Sequence, residues 1–297
     1  MNTFPSHKLL IRTAAIKDWG SGYIYACDTE KDEEDPHTVT FLWDEGDFIS
    51  GECNYNAHSI CFITAPEFAL VDLCEQGGYA VNAVSGMTSG DIFEDSHPAA
   101  EEMRFGGFRS VSEVDGKAYA VGFRGMVYRL DKIGSWTRID DGLPDSFDID
   151  AIHGFSGSDM YAVGLRGALW HYNGDKWTRL DLPTNIHLSA VKCAGDGKVY
   201  IAGHNGMLLR GRDEAWEIIE HEATEDNIWD LEWFEEELYL STMRNVYRLD
   251  GDTLVPVDFG EDKPASCYQL SKAEGVMWSN GEYDIMSFDG ETWTRIV

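Results

Sequence analysis

The sequence predicts an all-β chain folded as a seven-bladed β-propeller, with four antiparallel strands per blade, and three observations predict it. A motif centred on tyrosine recurs as Tyr119-Ala-Val-Gly-Phe-Arg-Gly-Met-Val-Tyr128, Tyr161-Ala-Val-Gly-Leu-Arg-Gly-Ala-Leu-Trp170 and Tyr200-Ile-Ala-Gly-His-Asn-Gly-Met-Leu-Leu209, followed by Tyr239-Leu-Ser-Thr242. The intervals are 42, 39 and 39 residues. A second marker keeps the same period: Trp136-Thr-Arg-Ile, Trp177-Thr-Arg-Leu, Trp216-Glu-Ile-Ile and Trp293-Thr-Arg-Ile, with Leu254-Val-Pro-Val where a tryptophan is missing. Between the markers lie short alternating or β-branched runs divided by Gly, Asp and Asn turns, and no segment sustains helical periodicity. A period of about 40 residues holding four strands is the size of one propeller blade, and closing such blades into a ring removes the edges that separate small sheets would expose.

Taken in order, the expected blades are 8–52, 66–107, 108–140, 148–181, 187–220, 227–258 and 265–297, all in one domain. The first carries Tyr25-Ala-Cys27, and the turn after it is expanded into Asp28-Thr-Glu-Lys-Asp-Glu-Glu-Asp-Pro36. The second is assigned through Tyr79-Ala-Val81, 54 residues beyond Tyr25, and has no tryptophan marker; six blades after an irregular N-terminal region is the alternative. The five from about Arg109 onward show both markers or their substitutes, ending with Val276-Met-Trp-Ser279 and Trp293. Within a blade the order reads as inner strand, tyrosine strand, third strand and outer tryptophan strand. Residues 8–16 begin the first phase and Val297 ends the last, so the ring is expected to close without strand exchange.

The Tyr-Ala-Val-Gly, Asn/Asp-Gly and Trp pattern resembles the propeller repeats of the photosystem II assembly factor and of sialidase-like, Asp-box proteins. The resemblance implies a fold and not an activity. Sialidase chemistry would need an arginine triad, a Tyr–Glu nucleophile pair and a Phe/Tyr-Arg-Ile-Pro segment, and that segment is missing. Ser287-Phe-Asp-Gly-Glu-Thr-Trp293 is similar to an Asp-box shortened by one residue, a turn device in which the aspartate accepts backbone hydrogen bonds.

Charge points to the class of partner. Fifty-three acidic residues against 23 basic ones leave a net charge of −30, which repels nucleic acid and anionic membranes and attracts basic surfaces. The N-terminus lacks the apolar stretch of a secretory signal, and no apolar run is long enough to span a bilayer, so a cytoplasmic location is expected. Cys27, Cys53, Cys61, Cys74, Cys193 and Cys267 have neither CxxC nor zinc-like spacing and read as small core residues. The nine histidines form no metal-binding set, there is no EF-hand spacing, and no nucleophile or acid–base pair stands out. No cofactor and no enzymatic activity are expected.

Binding residues are sought on the repeat itself. Five residues after each tyrosine, in the turn between second and third strands, stand Arg124, Arg166, Asn205 and Arg244, with His204 beside Asn205 and with Glu30 and Glu282 in the end blades. A guanidinium offers a planar fork to carboxylates, although such arginines also pair readily with neighbouring acids. Loops entering the inner strands reach the same end of the blades and bring Asp148, Asp150, Glu225 and Asp226, with Trp229 and Tyr268 at the strand starts. Aromatic anchors inside a charged rim are the pattern of a protein-binding hot spot, or else plug the channel. Asp32, Glu33, Glu34 and Asp35 of the expanded loop extend the acidic surface.

These features are similar in style to propeller-type immunity proteins of bacterial secreted toxins. That resemblance implies a cytosolic protein, a monomer alone and a heterodimer with its partner, that blocks a basic, nuclease-type toxin by imitating the acidic substrate. The alternatives are a scaffold or assembly factor with another partner and, less well supported, a hydrolase or lyase with its site at the channel mouth.

Overall fold

The computed structural model describes residues 4–5, 8–31, 36–93 and 107–297. Seven sheets of four antiparallel strands make a seven-bladed β-propeller, each sheet built from one uninterrupted stretch of chain in strand order. The inner strands are Leu9–Asp18, Ala57–Ile63, Phe108–Val114, Ile149–Ser156, Leu188–Cys193, Asp230–Phe234 and Gln269–Ala273. The second strands are Ser21–Asp28, Ala69–Cys74, Lys117–Gly122, Asp159–Gly164, Val199–Gly203, Glu237–Ser241 and Val276–Asn280.

Blade two departs from the sequence expectation. Tyr79 lies on its third strand, Gly78–Ala83, and not on its second. Val71 occupies the marker position: it pairs with Cys61 as Tyr161 pairs with His153 in blade four. The second strand, Ala69-Leu-Val-Asp-Leu-Cys74, is buried throughout, so aliphatic side chains fill the place that tyrosine takes elsewhere. Blade two therefore starts at Ala57 and its fourth strand ends at Asp91, in place of the expected 66–107. The six-bladed alternative falls with that assignment.

By internal packing the chain divides into two compact units, Met1–Asn56 with Ala194–Arg210 and Ile218–Val297, and Ala57–Cys193 with Gly211–Glu217. In the first unit the first and last blades share a core of Leu9, Ile11, Ile16, Ile24 and Phe41 with Val276, Trp278 and Ile285. The Ile11 N–H donates to the Glu282 carbonyl at 2.8 Å and the Ile16 N–H to Ser271 Oγ at 3.3 Å. This seam is made by side-chain packing and a few hydrogen bonds, with no strand exchanged, in line with the order read from the sequence.

In the second unit adjacent inner strands are stapled by side chains. Ser59 Oγ accepts from Val111 N–H at 3.0 Å, Ser110 Oγ donates to the Asp150 carbonyl at 3.3 Å, and His153 Nδ1 accepts from Cys193 N–H at 3.1 Å. Wedges of apolar side chains fill the space between sheets, one of them combining Val114, Tyr119, Val121, Ile149, Met160 and Trp177. Trp177 is fully buried on its outer strand and donates its indole N–H to Ile139 carbonyl at 2.7 Å; Leu254, the substitute marker, is also buried.

Two motif residues acquire structural reasons. A Cβ on Gly122 or Gly164 would overlap the carbonyl of Gly107 or Asp148, where the chain enters the inner strand of the same blade, so only glycine permits the close approach. Three of the tyrosines face a basic residue type across the sheet: Tyr119 opposite Arg129, Tyr161 opposite His171 and Tyr239 opposite Arg248. Those side chains are held by carboxylates, Arg129 by Asp131 at 2.7 Å, His171 by Asp159 at 2.9 Å and Arg248 by Glu237 at 2.9 Å. The Asp-box-like turn behaves as its sequence implied: Asp289 Oδ1 accepts the N–H groups of Glu291 and Thr292 at 2.8 and 2.7 Å.

Candidate protein-binding site

The turn between second and third strands is built the same way in several blades. Arg124, Arg166 and Asn205 have φ of 58°, 61° and 55°, a left-handed conformation that costs an L-residue about 1 kcal/mol or more. Each is followed by a glycine of positive φ, so the chain reverses in three residues and pushes the middle side chain outward. In the second unit, the Arg124 N–H donates to Asp148 Oδ1 at 3.2 Å and the Gly125 N–H to the Phe147 carbonyl at 2.6 Å. In the first unit, the Asn205 N–H donates to Asn227 Oδ1 at 3.1 Å and the Gly206 N–H to the Asp226 carbonyl at 2.9 Å. One device thus fastens the turn of one blade to the loop entering the next.

In the second unit some of the expected binding residues also make contacts within the protein. The carboxylate of Asp148 serves the turn. Asp150, on a bulge at the start of its inner strand, has only 14% of its side chain exposed; it meets His187 Nε2 at 2.7 Å and Arg109 at 3.8 Å. Arg109 in turn lies over the Phe123 ring at 4.6 Å. Both aspartates thus make contacts within the protein. Arg124 is exposed and within 3.6 Å of Asp145, whereas Arg166 is exposed with no carboxylate partner among the described residues.

The first unit brings His204, Trp229 and Tyr268 together. Trp229 ends the loop entering its inner strand, donating its N–H to the Ser241 carbonyl at 2.8 Å, and Tyr268 holds the matching place one blade on, bonded to the Asn280 carbonyl at 2.9 Å. Their ring centroids are 6.3 Å apart at 57°, and His204 meets Trp229 at 5.7 Å and 69°. Trp229 remains 39% exposed, a large apolar surface for a side chain so close to two other rings. Burial, with the nearby Glu282 carboxylate adding to it, pushes the Tyr268 phenol up from its ordinary value. Glu225 and Asp226 are exposed on the approach to Trp229, and Arg244 is exposed on the intervening turn.

Two residues at this end escaped the sequence reading. Met243 and Tyr283 are exposed in turns between second and third strands, by 40% and 48%. The Met243 carbonyl accepts the N–H of Cys267, next to Tyr268, and the Glu282 N–H donates to Ser266 Oγ. Both are neighbours of the turn positions singled out by the repeat, Arg244 and Glu282, and an apolar residue there was the available signal. Asp32, Glu33, Glu34 and Asp35 lie outside the described residues; Glu30, just before them, pairs with Lys8 at 2.7 Å.

The arrangement suits recognition of a protein surface: protruding aromatic and thioether groups, exposed carboxylates around them, and rigid strands beneath. No family model matches the chain. Among solved structures it is similar to YCF48 bound to D1 peptide, with a TM-score of 0.68 and 15% identity over 94% of this chain and 91% of that one. It is also similar to the WD40 propeller domain of Doa1, with a TM-score of 0.67 and 11% identity over 97% and 92%. At such identities these likenesses concern the fold alone. The immune protein Tsi7 of Pseudomonas aeruginosa is 43% identical over 218 residues, 71% of each chain. This kinship agrees with a protein that acts by binding and not by catalysis, and by it the chain belongs to the family of the immune protein Tsi7.

Proposed function

We propose that this immunity protein acts in the cytoplasm by docking on a basic, nuclease-type toxin and covering its substrate cleft. The observation that carries the reading is the half-exposed Trp229, set against Tyr268 and His204 and approached by Glu225 and Asp226, in a chain of net charge −30. A nuclease cleft must be positive to hold phosphates, so an acidic partner is steered toward it and competes for the same ground. The aromatic groups then supply the short-range contact that slows dissociation. The family relationship supports the immunity role; nuclease chemistry and the basic character of the partner are inferred from charge.

The test is affinity capture from cells of a sister strain, followed by identification of the retained protein and by nuclease assay with and without this chain. The expected result is a strongly basic protein, captured at about 0.05 M salt and released as ionic strength rises toward about 0.5 M, where screening confines charge–charge forces to a few ångströms. Inhibition of its nuclease activity at equimolar ratio completes the expectation. A neutral partner held equally well at both salt levels would overturn the toxin reading in favour of a scaffold.

A further inference from the structure

We infer that His204, Trp229 and Tyr268 form a clasp for a single cationic side chain, a lysine or arginine presented by the bound partner. The inference rests on the reading of a basic partner given above and names the group that this part of the surface accepts.

Three observations carry it. First, the rings come from the turn or strand start of three consecutive blades, and they meet at 69° and 57°, so they bound a corner and do not stack flat on one another. Flat stacking would have covered the faces whose negative potential attracts a cation. Secondly, Trp229, the ring type that binds cations best, is 39% exposed. Among the described residues no lysine or arginine of the protein stands over Trp229 or Tyr268. The protein does make such pairs where its own cations are in reach, with Arg109 over Phe123 at 4.6 Å and Arg212 over Phe155 at 4.0 Å.

Thirdly, the surroundings are acidic in a way that an apolar ligand would not need. Glu225 and Asp226 are exposed just before Trp229, and Glu282 lies close enough to Tyr268 to disfavour a second negative charge on its phenol. A leucine or phenylalanine from a partner would gain nothing from these carboxylates and would meet them as polar groups to be desolvated. A guanidinium or ammonium is attracted by both the ring faces and the carboxylates, and its methylene stem is content against the apolar ring surface.

The experiment uses the full chain and two short probes, acetyl-Gly-Arg-Gly-amide and the same peptide with citrulline, which keeps the shape of arginine and removes its charge. The indole N–H resonance of Trp229, assigned by its loss in Trp229→Phe, is followed during titration. The expected result is a saturable shift with the arginine peptide, at least ten times weaker with the citrulline peptide, lost in Tyr268→Leu and weakened several-fold in Glu282→Gln. An equal response to both peptides, or none to either, overturns the clasp. Circular dichroism of each variant confirms that its fold is retained, and His204→Leu, at a turn outside the strands, supplies a second variant if Tyr268→Leu does not fold.

The two readings fail separately. A captured basic toxin that binds wild type and Trp229→Leu equally leaves the immunity reading standing and removes the clasp. Binding of the arginine peptide through Trp229, with no basic toxin recovered, does the reverse.

Discussion

Trp229 and Tyr268 open successive inner strands, and their rings meet 6.3 Å apart at 57°. The repeat puts both at equivalent places, and an aromatic residue at each makes the pair. Replacing Trp229 by alanine is expected to weaken partner binding about 10- to 100-fold, the range of an aromatic hot spot of about 1.4–2.7 kcal/mol. The side chain is 39% exposed, so thermal unfolding should move little. Calorimetric titration and a melting curve on the same preparation separate the two effects.

Arg166 has φ of 61° and ψ of 33° in an exposed turn, without a carboxylate partner among the described residues. Arg166→Gly is expected to stabilise the fold by about 0.5–1 kcal/mol through relief of the left-handed conformation. Arg166→Val should destabilise it, since a β-branched side chain tolerates positive φ poorly. Urea midpoints of the three proteins check the order. The opposite order would mean that the guanidinium holds the turn together.

Gly164 closes the Tyr-Ala-Val-Gly strand against the Asp148 carbonyl, with the Phe147 ring beside it. A methyl group there must push two chain segments apart, and Gly164→Ala is expected to cost about 1–3 kcal/mol. Equilibrium unfolding measures it; a neutral outcome would show that the strand entry can shift.

Hydrogen bonding from Arg129, with Thr137 and Lys117 adding to it against the effect of burial, holds Asp131 down at about 2, below the ordinary carboxylate value of about 3.9. Because the folded state favours the ionised form, this contribution is full above about pH 4–5 and is lost as pH falls through about 2. Asp131→Asn should therefore be less stable than wild type at pH 7, and the gap should narrow steadily between about pH 4 and about pH 2. Urea unfolding at a series of pH values follows that gap; a constant difference would show that the carboxylate's charge is not what matters.

Reversing the charges of Asp32, Glu33, Glu34 and Asp35 to lysine tests the acidic loop. If it steers a basic partner, the association rate falls about tenfold at low salt while dissociation changes little. Stopped-flow mixing measures both rates, and an unaltered association rate would show that these acids do not steer the partner.

What the sequence made legible follows from what repeats enforce. From Arg109 onward the tyrosine, glycine and tryptophan positions recur because each blade must satisfy the same packing and the same close approach at Gly122 and Gly164. Blade two meets the packing demand with Val71 and its aliphatic neighbours, so the marker vanished and Tyr79 imitated it from the next strand. Within the candidate site, Trp229, Tyr268 and Asn205 were readable because they occupy repeat positions. The internal contacts of Asp148 and Asp150 were not legible, because nothing in a linear sequence says that one accepts a turn N–H and the other meets His187. Met243 and Tyr283 were missed because an apolar residue in a turn is common and becomes informative only once its exposure is known.

The turn between second and third strands fastens itself through backbone groups, Gly125 to Phe147 and Gly206 to Asp226, and leaves its outward side chain out of the packing. Architecture and exposed surface are thereby written on different letters of the sequence. Residues such as Arg166 and Asn205 can therefore be exchanged one at a time with the sheets left intact. Immunity repertoires can diversify on such a frame without passing through unfolded intermediates in sequence space.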